Sequence, residues 1–514
     1  MKRWLDRMTG MVTMYKLVIL LLAAIGVIAL ALCLFGQLSP WTPLQLLASA
    51  GVAIVFTCAS SLLFATILRL KPHLDSALIT GLLLFFVMKP SLDLVGLAGI
   101  AAAGVIASLS KYLLAMRGRH VFNPAALGAF VVTVVHFATG IGFSYAAWWV
   151  GVPQLLIPVA IAAFLVLYRT QRLTVGVTFV ALGILVAIAN ALVHAAPIPD
   201  VLAFTVLQGP LVFFAGFMFS EPLTLPPRRW QQFVEALVVA VLYTIPFAFG
   251  PVNKTPQLAL LVGNLIGFAF GQRRGIRLTY LGKTQLGPTT WQLSFQPARR
   301  VRFVPGQYME LTIPHRKADF RGTRRYFSIS SAPASSATAK GEPITFAITV
   351  PEKSSSFKQA LLDLTPGATI YGTGVGGDFA LPAKLQEPLL LVAGGIGITP
   401  FASQLAAATA LGHKRDVTVV YSTSAAGPLP FADLLAASGA RVVLFAPDAP
   451  TPLPANWQYE GAGRVTGEKL IAAVPDVASR RTYVSGPPAL VSDLTSALRK
   501  EGARHVHSDY FSGY

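Results

Sequence analysis

The chain has 514 residues, 54% of them hydrophobic and 12% charged, with a formal net charge of +19 and 2 cysteines. So apolar a composition at this length excludes a wholly soluble protein and predicts several domains, about half of the chain lying in lipid. The basic residues fall in short clusters without a basic face of interleaved aromatics, which excludes nucleic acid as partner and points to the lipid bilayer. Cys33 and Cys58, both inside apolar stretches, exclude a disulfide framework and a four-cysteine iron–sulfur site.

Lys2, Arg3, Arg7 and Lys16 precede an apolar run over 17–36 that is long enough to span a bilayer and is followed by no small-x-small cleavage site, so a retained first helix is expected. Further apolar stretches at 44–68, 74–88, 92–110, 121–138, 153–168, 173–194, 201–219, 232–249 and 256–271 bring the expected number of spans to about ten, the third being short and ending at Lys89-Pro90. Basic clusters at Arg69/Lys71, Lys111/Arg117/Arg119, Arg169/Arg172, Arg228/Arg229 and Arg273/Arg274/Arg277 fall in every second loop, whereas 37–43, 140–149, 195–200 and 250–257 hold only Lys254. The positive-inside rule then predicts a multi-pass protein of a bacterial-type inner membrane with both termini cytoplasmic.

Asp75, Thr80, Asn123, Asn190, Glu221 and Asn264 are polar positions that an apolar half keeps at a cost, which marks them as functional candidates; Asn123-Pro124 and Glu221-Pro222 also read as caps and kinks of broken helices. His73, His120, His136 and His194 leave open two stacked bis-histidine haems.

After a short basic joint over 272–277, which should hold the next domain close under the membrane, residues 278–383 show short alternating runs bounded by Gly and Pro, the pattern of an antiparallel β-barrel. Within it Arg324-Arg325-Tyr326-Phe327-Ser328-Ile329-Ser330-Ser331 offers a cation for a phosphate, a flat aromatic for an isoalloxazine ring and a small hydroxyl for its redox-active nitrogen. On a strand Arg325 and Phe327 project to one face and Ser328 to the other. Residues 387–514 alternate strands with helices, as in a parallel nucleotide-binding α/β fold. There the apolar run 389–392 breaks into Ala393-Gly394-Gly395-Ile396-Gly397-Ile398-Thr399-Pro400 before a helical stretch, a strand–glycine turn–helix order suited to a pyrophosphate. Tyr483-Val484-Ser485-Gly486-Pro487-Pro488 follows, and the sequence ends on Asp509-Tyr510-Phe511-Ser512-Gly513-Tyr514. The loop 422–427 holds no arginine for a 2′-phosphate, which favours NADH over NADPH.

This ordered set, over residues 279–514, resembles the ferredoxin–NADP reductase superfamily, an FAD-binding barrel followed by a nucleotide-binding domain. The resemblance implies flavin contacts at Arg325, Tyr326, Phe327 and Ser328, with Pro305-Gly306-Gln307-Tyr308 as the strand before them and the amides of Ser354, Ser355 and Ser356 cradling the FAD pyrophosphate. It implies nicotinamide-nucleotide contacts at Gly394, Gly395, Gly397, Thr399, Pro400, Gly486 and Pro487. The catalytic roles it implies are a hydrogen bond from Ser328 near the flavin's reactive nitrogen, placement of the nicotinamide by Thr399, and Tyr514 flanking the ring opposite Phe327. Ser485 stands where many members carry a cysteine beside the nicotinamide, and Val375 where a proline is usual. Residues 15–272 resemble a family of flavin-bearing membrane proteins, the D component of the Rnf complex and the B component of the sodium-translocating NADH:quinone reductase, through the phrases around Asp75, Asn123 and Glu221. That resemblance implies a ten-helix body of two related halves. The family attaches FMN covalently to a threonine in a Gly-Ala-Thr-like motif; Val175-Gly176-Val177-Thr178 departs from it, so a second, non-covalent flavin stays open and a covalent one does not follow.

The expectation is a multi-domain FAD-dependent NAD(P)H oxidoreductase that passes electrons to a quinone, a membrane flavin or a periplasmic acceptor. The alternatives are a flavin or ion transporter driven or gated by a fused reductase, and a haem-containing transmembrane reductase.

Overall fold

The computed structural model describes residues 14–69, 72, 74–116, 119–170, 172–271, 275–313, 315, 323–333, 342–352, 354–372 and 375–510. The chain divides into two compact units, one up to Arg273 and one from Arg274. Residues 272–274 of the expected joint over 272–277, the terminal Tyr514, His73 and most of the 332–342 loop lie outside the described residues.

The first unit is helical: α1 (Met14–Leu34), α2 (Pro43–Ile67), α3 (Leu74–Val87), α4 (Leu94–Leu113), α5 (Pro124–Thr139), α6 (Pro153–Arg169), α7 (Leu173–Val193), α8 (Ile198–Leu207), α9 (Leu211–Phe219), α10 (Arg229–Thr244) and α11 (Pro256–Phe270). Among the described residues α1, α2, α4 and α7 are long and apolar enough to cross a bilayer, and the α8–α9 pair makes a fifth if its 47° bend lies within one span. The stretch expected as one segment over 201–219 is therefore broken. Gln208, Gly209 and Pro210 interrupt it between two π-turns, because Pro210 lacks an amide hydrogen to continue the ladder. The segment expected to run to 249 ends at Thr244, and a two-stranded ribbon pairs 248–249 with 252–253.

The neighbours repeat. The helix α2 packs on α3 and α4, and α4 on α5; likewise α7 packs on α9 and α10, and α10 on α11, while α1 meets α6 and α5 meets α11. The equivalent short helices α3 and α9 end beside Lys89-Pro90 and Glu221-Pro222. Small residues permit these contacts: a Cβ on Gly128 would meet the Ala103 carbonyl of α4, and one on Gly216 would meet Ala163 of α6.

The polar positions of this unit meet one another. Glu221 Oε1 lies 2.7 Å from His120 Nε2, Asn123 Nδ2 donates to Glu221 Oε2 at 2.9 Å, and the Asn123 amide donates to Asn264 Oδ1 at 2.7 Å. Asn123 also caps α5 through the Ala126 amide, so cap and network are one residue's work. Lys111 Nζ donates to Ser76 O, Ser76 Oγ and Thr80 Oγ1 at 2.9, 3.1 and 2.8 Å. His120 is thus engaged by Glu221, and His136 and His194 by the carbonyls of Ile141 and Asn190, a poor arrangement for paired haem ligands.

The second unit opens with β1 (Ile276–Gln285), two residues ahead of the expected boundary at 278, then β2 (Thr290–Pro297), β3 (Tyr308–Thr312), β4 (Arg324–Ser328), β5 (Ile344–Thr349), α12 (Ser356–Leu362) and β6 (Thr369–Gly372). The strands run in the order β4-β3-β6-β1-β2-β5 with antiparallel pairing. A bridge between Ile329 and Phe346, with the Ser330 amide donating to Thr345 O, brings the end of β4 to β5 and closes the barrel. Its core gathers Leu278, Tyr280, Leu293, Phe295, Met309, Leu311, Phe346 and Phe357.

A parallel sheet follows, built from β7 (Leu389–Gly394), β8 (Val417–Ser422), β9 (Arg441–Phe445), β10 (Trp457–Tyr459), β11 (Arg481–Gly486) and β12 (Val506–Tyr510) in the order β10-β9-β8-β7-β11-β12. The central strands β7 and β8 are buried throughout, as a sheet covered on both faces requires. The helices α13 (Thr399–Ala410), α14 (Ala432–Ala437), α15 (Gly467–Ala473) and α16 (Pro488–Lys500) cover it. The edge strands β10 and β12 were not expected from the sequence, since Val506-His507-Ser508-Asp509-Tyr510 lacks the apolar run that betrays β7.

Candidate functional site

Strand β4 pairs with β3 in the register Leu311↔Arg325, Met309↔Phe327 and Tyr308↔Ser328. Arg325 and Phe327 share a face, as their spacing predicts: the Arg325 guanidinium sits 5.3 Å over the Phe357 ring, and Phe327 stacks on the same ring at 5.9 Å and 21°. Arg325 is buried and its Nη1 donates to Arg324 O at 2.6 Å. The guanidinium is thus taken out of water beside the first turn of α12. Tyr326 points the other way, 51% exposed and edge-on to Tyr308 at 5.3 Å, so the structure separates it from the Arg325–Phe327 face. Ser328 is buried.

The helix α12 starts where the serine run predicts. Ser355 is its N-cap, its Oγ accepting from the Lys358 amide at 3.4 Å, and the Ser356 hydroxyl lies 3.1 Å from His315 Nε2. Phe357 belongs to the segment Ser354-Ser355-Ser356-Phe357-Lys358 that the resemblance marks, whereas His315 was not singled out in the sequence and carried no signal, because its contact to α12 is long-range. Arg325, Phe327, His315, Ser356 and Phe357 thus converge on one corner of the barrel, and they fit the pyrophosphate and ring of an FAD: one buried cation, a helix start and a half-buried flat ring.

The second half of the site is the meeting of two turns. After β7, Gly395 adopts a positive φ of +54° and Gly395–Ile398 forms a 3-10 turn that runs into α13, with Pro400 in its first turn. A Cβ on Gly397 would overlap the Ser485 carbonyl oxygen and lie 2.6 Å from Ser485 C and 2.8 Å from Gly486 Cα. Only glycine lets the two turns touch. Gly486 has φ +152° and packs on Gly394, whose own Cβ would meet Leu490 and Pro487. Ser485, paired in register with Ala393 on β7 and Asp509 on β12, is fully buried, and its hydroxyl has no hydrogen-bond partner among the described residues. A buried unpaired hydroxyl is costly unless a ligand answers it, and this one lies where the resemblance implies the nicotinamide. The Thr399 hydroxyl is engaged inside the protein instead, donating to Ile396 O at 2.7 Å, so it shapes the turn. Tyr514, expected to flank the flavin ring, lies outside the described residues.

The barrel and the sheet are held together near this place. Ser403 Oγ on α13 donates to Ser331 O, just past β4, at 2.7 Å; Gln404 Nε2 donates to Phe379 O at 2.7 Å; and Tyr483 OH donates to Ala380 O at 2.9 Å. The end of β4 and the helix that begins at the glycine turn are therefore joined directly. Asp509, next to Ser485 across the β11–β12 pair, was quoted in the sequence without a role; burial pushes its carboxyl up to about 6.

No protein-family model matches the chain. The NADPH oxidoreductase of Mycobacterium tuberculosis is 26% identical over 223 residues, 43% of this chain and 54% of that protein. The toluate 1,2-dioxygenase electron transfer component of Pseudomonas putida is 27% identical over 247 residues, 46% and 68% of the two chains. The chain thus spans about half to two thirds of the length of these curated relatives. The cytochrome P450 reductase GcoB of Amycolatopsis aligns in structure with a TM-score of 0.39 and 24% identity, covering 46% of this chain and 70% of that one. The C-terminal half resembles ferredoxin–NADP reductase-like FAD/NAD-binding oxidoreductases.

Proposed function

We propose that the protein is a membrane-bound NAD(P)H oxidoreductase whose C-terminal unit holds FAD and a nicotinamide dinucleotide and delivers electrons to an acceptor in or across the membrane, a quinone or a membrane flavin. The observation that carries the reading is the contact of Gly397 with the backbone of Ser485 and Gly486, which brings together two glycine turns, one of them carrying a buried hydroxyl without a hydrogen-bond partner among the described residues. An FAD held at the Arg325 corner of the barrel would supply the step from a two-electron hydride donor to one-electron release. Arg325 holds negative charge on the barrel side, Phe327 offers a ring face, and Ser485 gives or accepts a hydrogen bond at the nicotinamide. The link from Ser403 to Ser331 keeps the two ligand seats at a constant separation, which favours a direct transfer between them.

The helical unit supports the membrane part of the reading. Its ten apolar stretches recur as helices with one neighbour pattern used twice, the form expected of the membrane bodies of the Rnf complex and the sodium-translocating NADH:quinone reductase. Ten crossings then need the 14- to 17-residue helices, such as α3 and α6, to traverse with their flanking turns. The network of His120, Asn123, Glu221 and Asn264 keeps the cost of intramembrane polar groups down. A flavin or ion transporter gated by the reductase is the second reading, and that same network favours it.

The test is the absorbance spectrum of the detergent-purified full-length protein before and after anaerobic NADH or NADPH. One flavin, bleached by the nucleotide, is expected, and a second points to an internal relay. A spectrum without flavin after gentle purification sinks the proposal, and a Soret band replaces it with a haem reductase.

A further inference from the structure

The end of the barrel at which β1 begins carries an unassigned basic surface. Thr312 on β3 pairs in register with Arg324 on β4 and with Tyr371 on β6, and Tyr371 with Arg277 on β1, so these side chains form one row across four strands. Their neighbours Leu311, Ile370 and Leu278 fill the barrel core, which puts the row on the outer face. The surface continues past β2: the Ala298 amide donates to Arg277 O at 2.9 Å, and the chain then runs through Arg299, Arg300, Val301, Arg302 and Phe303. Val301 and Phe303 are buried in the core and pin this loop to the barrel, whereas the three arginines are exposed. Arg277 is exposed as well, Tyr371 is 39% exposed, and Glu310, the acid on the same face of β3, is buried. Among the described residues Arg277, Arg300 and Arg302 have no ion-pair partner. Cations gathered in this way repel one another until an anionic surface answers them.

We infer that Arg277, Arg299, Arg300 and Arg302, with Tyr371 beside them, form a surface that binds the headgroups of anionic lipids. This rests on the membrane-bound reading proposed above. Only residues 271–275 separate the apolar helix α11 from β1, a link that spans at most about 20 Å and itself carries Arg273 and Arg274. The strand that bears Arg277 is thus tethered within reach of the lipid surface at which α11 ends. Basic side chains with an aromatic among them are what the headgroup region selects, the cations for the phosphates and the tyrosine for the boundary between polar and apolar layers. An acidic protein partner would match the charge but gives no reason for the cations to begin at the link.

The test places the full-length protein in nanodiscs of phosphatidylcholine alone or of phosphatidylcholine with phosphatidylglycerol. The rate at which p-hydroxyphenylglyoxal modifies each arginine is read by peptide mass spectrometry. Modification of Arg299 and Arg300 is expected to slow about tenfold in the anionic discs, while Arg504, exposed on the parallel-sheet side, reacts equally in both. Each basic residue at an anionic surface multiplies binding about fivefold, so the double variant Arg277→Gln/Arg302→Gln should return Arg299 and Arg300 to their rate in neutral discs. Raising the salt concentration should do the same in the wild type. Equal rates in the two lipids overturn the inference and leave an acidic protein as the partner; slow modification in neutral discs too overturns it by showing the arginines already covered by protein. Flavin content and bleaching by NADH, read in the same discs, report on the oxidoreductase reading separately, and a chain that stays soluble without lipid or detergent overturns the membrane reading and the inference together.

Discussion

Gly397→Ala is the substitution that most directly interrogates the proposed site. The added methyl overlaps the Ser485 carbonyl oxygen and falls 2.6 Å from Ser485 C and 2.8 Å from Gly486 Cα, all backbone atoms that cannot rotate away. Ordinary contacts of this kind need about 3.4 Å or more, so the two turns must part by roughly 1 Å, and overpacking of this sort costs about 1–3 kcal/mol. Both turns belong to the central strands β7 and β11, so the second unit should remain folded. The Arg325 corner, which belongs to the barrel, should keep its FAD. A displacement of about 1 Å at a hydride-transfer seat is worth up to about a hundredfold in rate. Stopped-flow bleaching of the flavin by NADH should therefore slow by one to two orders of magnitude with unchanged flavin content. Gly395→Ala is the control: it carries φ +54° but has nothing within 4 Å of its Cβ, so it costs only backbone strain of about 1 kcal/mol and should slow the reaction far less. Wild-type bleaching in Gly397→Ala would show that the contact of the two turns does not place the nucleotide.

Arg325→Ala removes the buried cation over Phe357 and should purify without FAD while the helical unit still inserts; full flavin occupancy would misplace the seat. Asp509 has a raised folded pKa, so the neutral acid is favoured in the native state: its contribution to stability is complete below the unfolded value of 3.8 and is lost as pH rises to about 6. At most about 3 kcal/mol follows from such a shift, and less for a side chain with partial solvent access. Asp509→Asn should raise the Tm of the protein relative to wild type above about pH 6 and lose that advantage near pH 4; a Tm difference independent of pH would refute it. A reporter that fluoresces only in the cytoplasm should light up after Tyr514 and stay dark after Pro43 or Pro197; a dark Tyr514 fusion would put the nucleotide site on the side without NADH.

Local demands of the chain made much of this protein legible from its sequence. The apolar stretches became helices, although among the described residues only four reach the length of a span by themselves, because Pro and Gly at their ends stop the hydrogen-bond ladder early. The Arg325–Phe327 alternation, the serine run before α12 and the Gly394–Pro400 turn were readable because each is a short-range requirement of backbone or period, complete within a few residues. What only the tertiary structure decided are pairings set by strand order and helix packing. Strand β11 returns beside β7 and brings Ser485 onto Gly397, and α12 brings Phe357 under Arg325 and Ser356 to His315. The β9 loop carries Asp448 to Gly427, and the helix packing joins Glu221 to His120 and Asn123 across about a hundred residues of chain. No local window holds these contacts. Their partners lie far apart along the chain, and what joins them is the burial of a shared core, a term in which every residue of the sheet or bundle takes part at once.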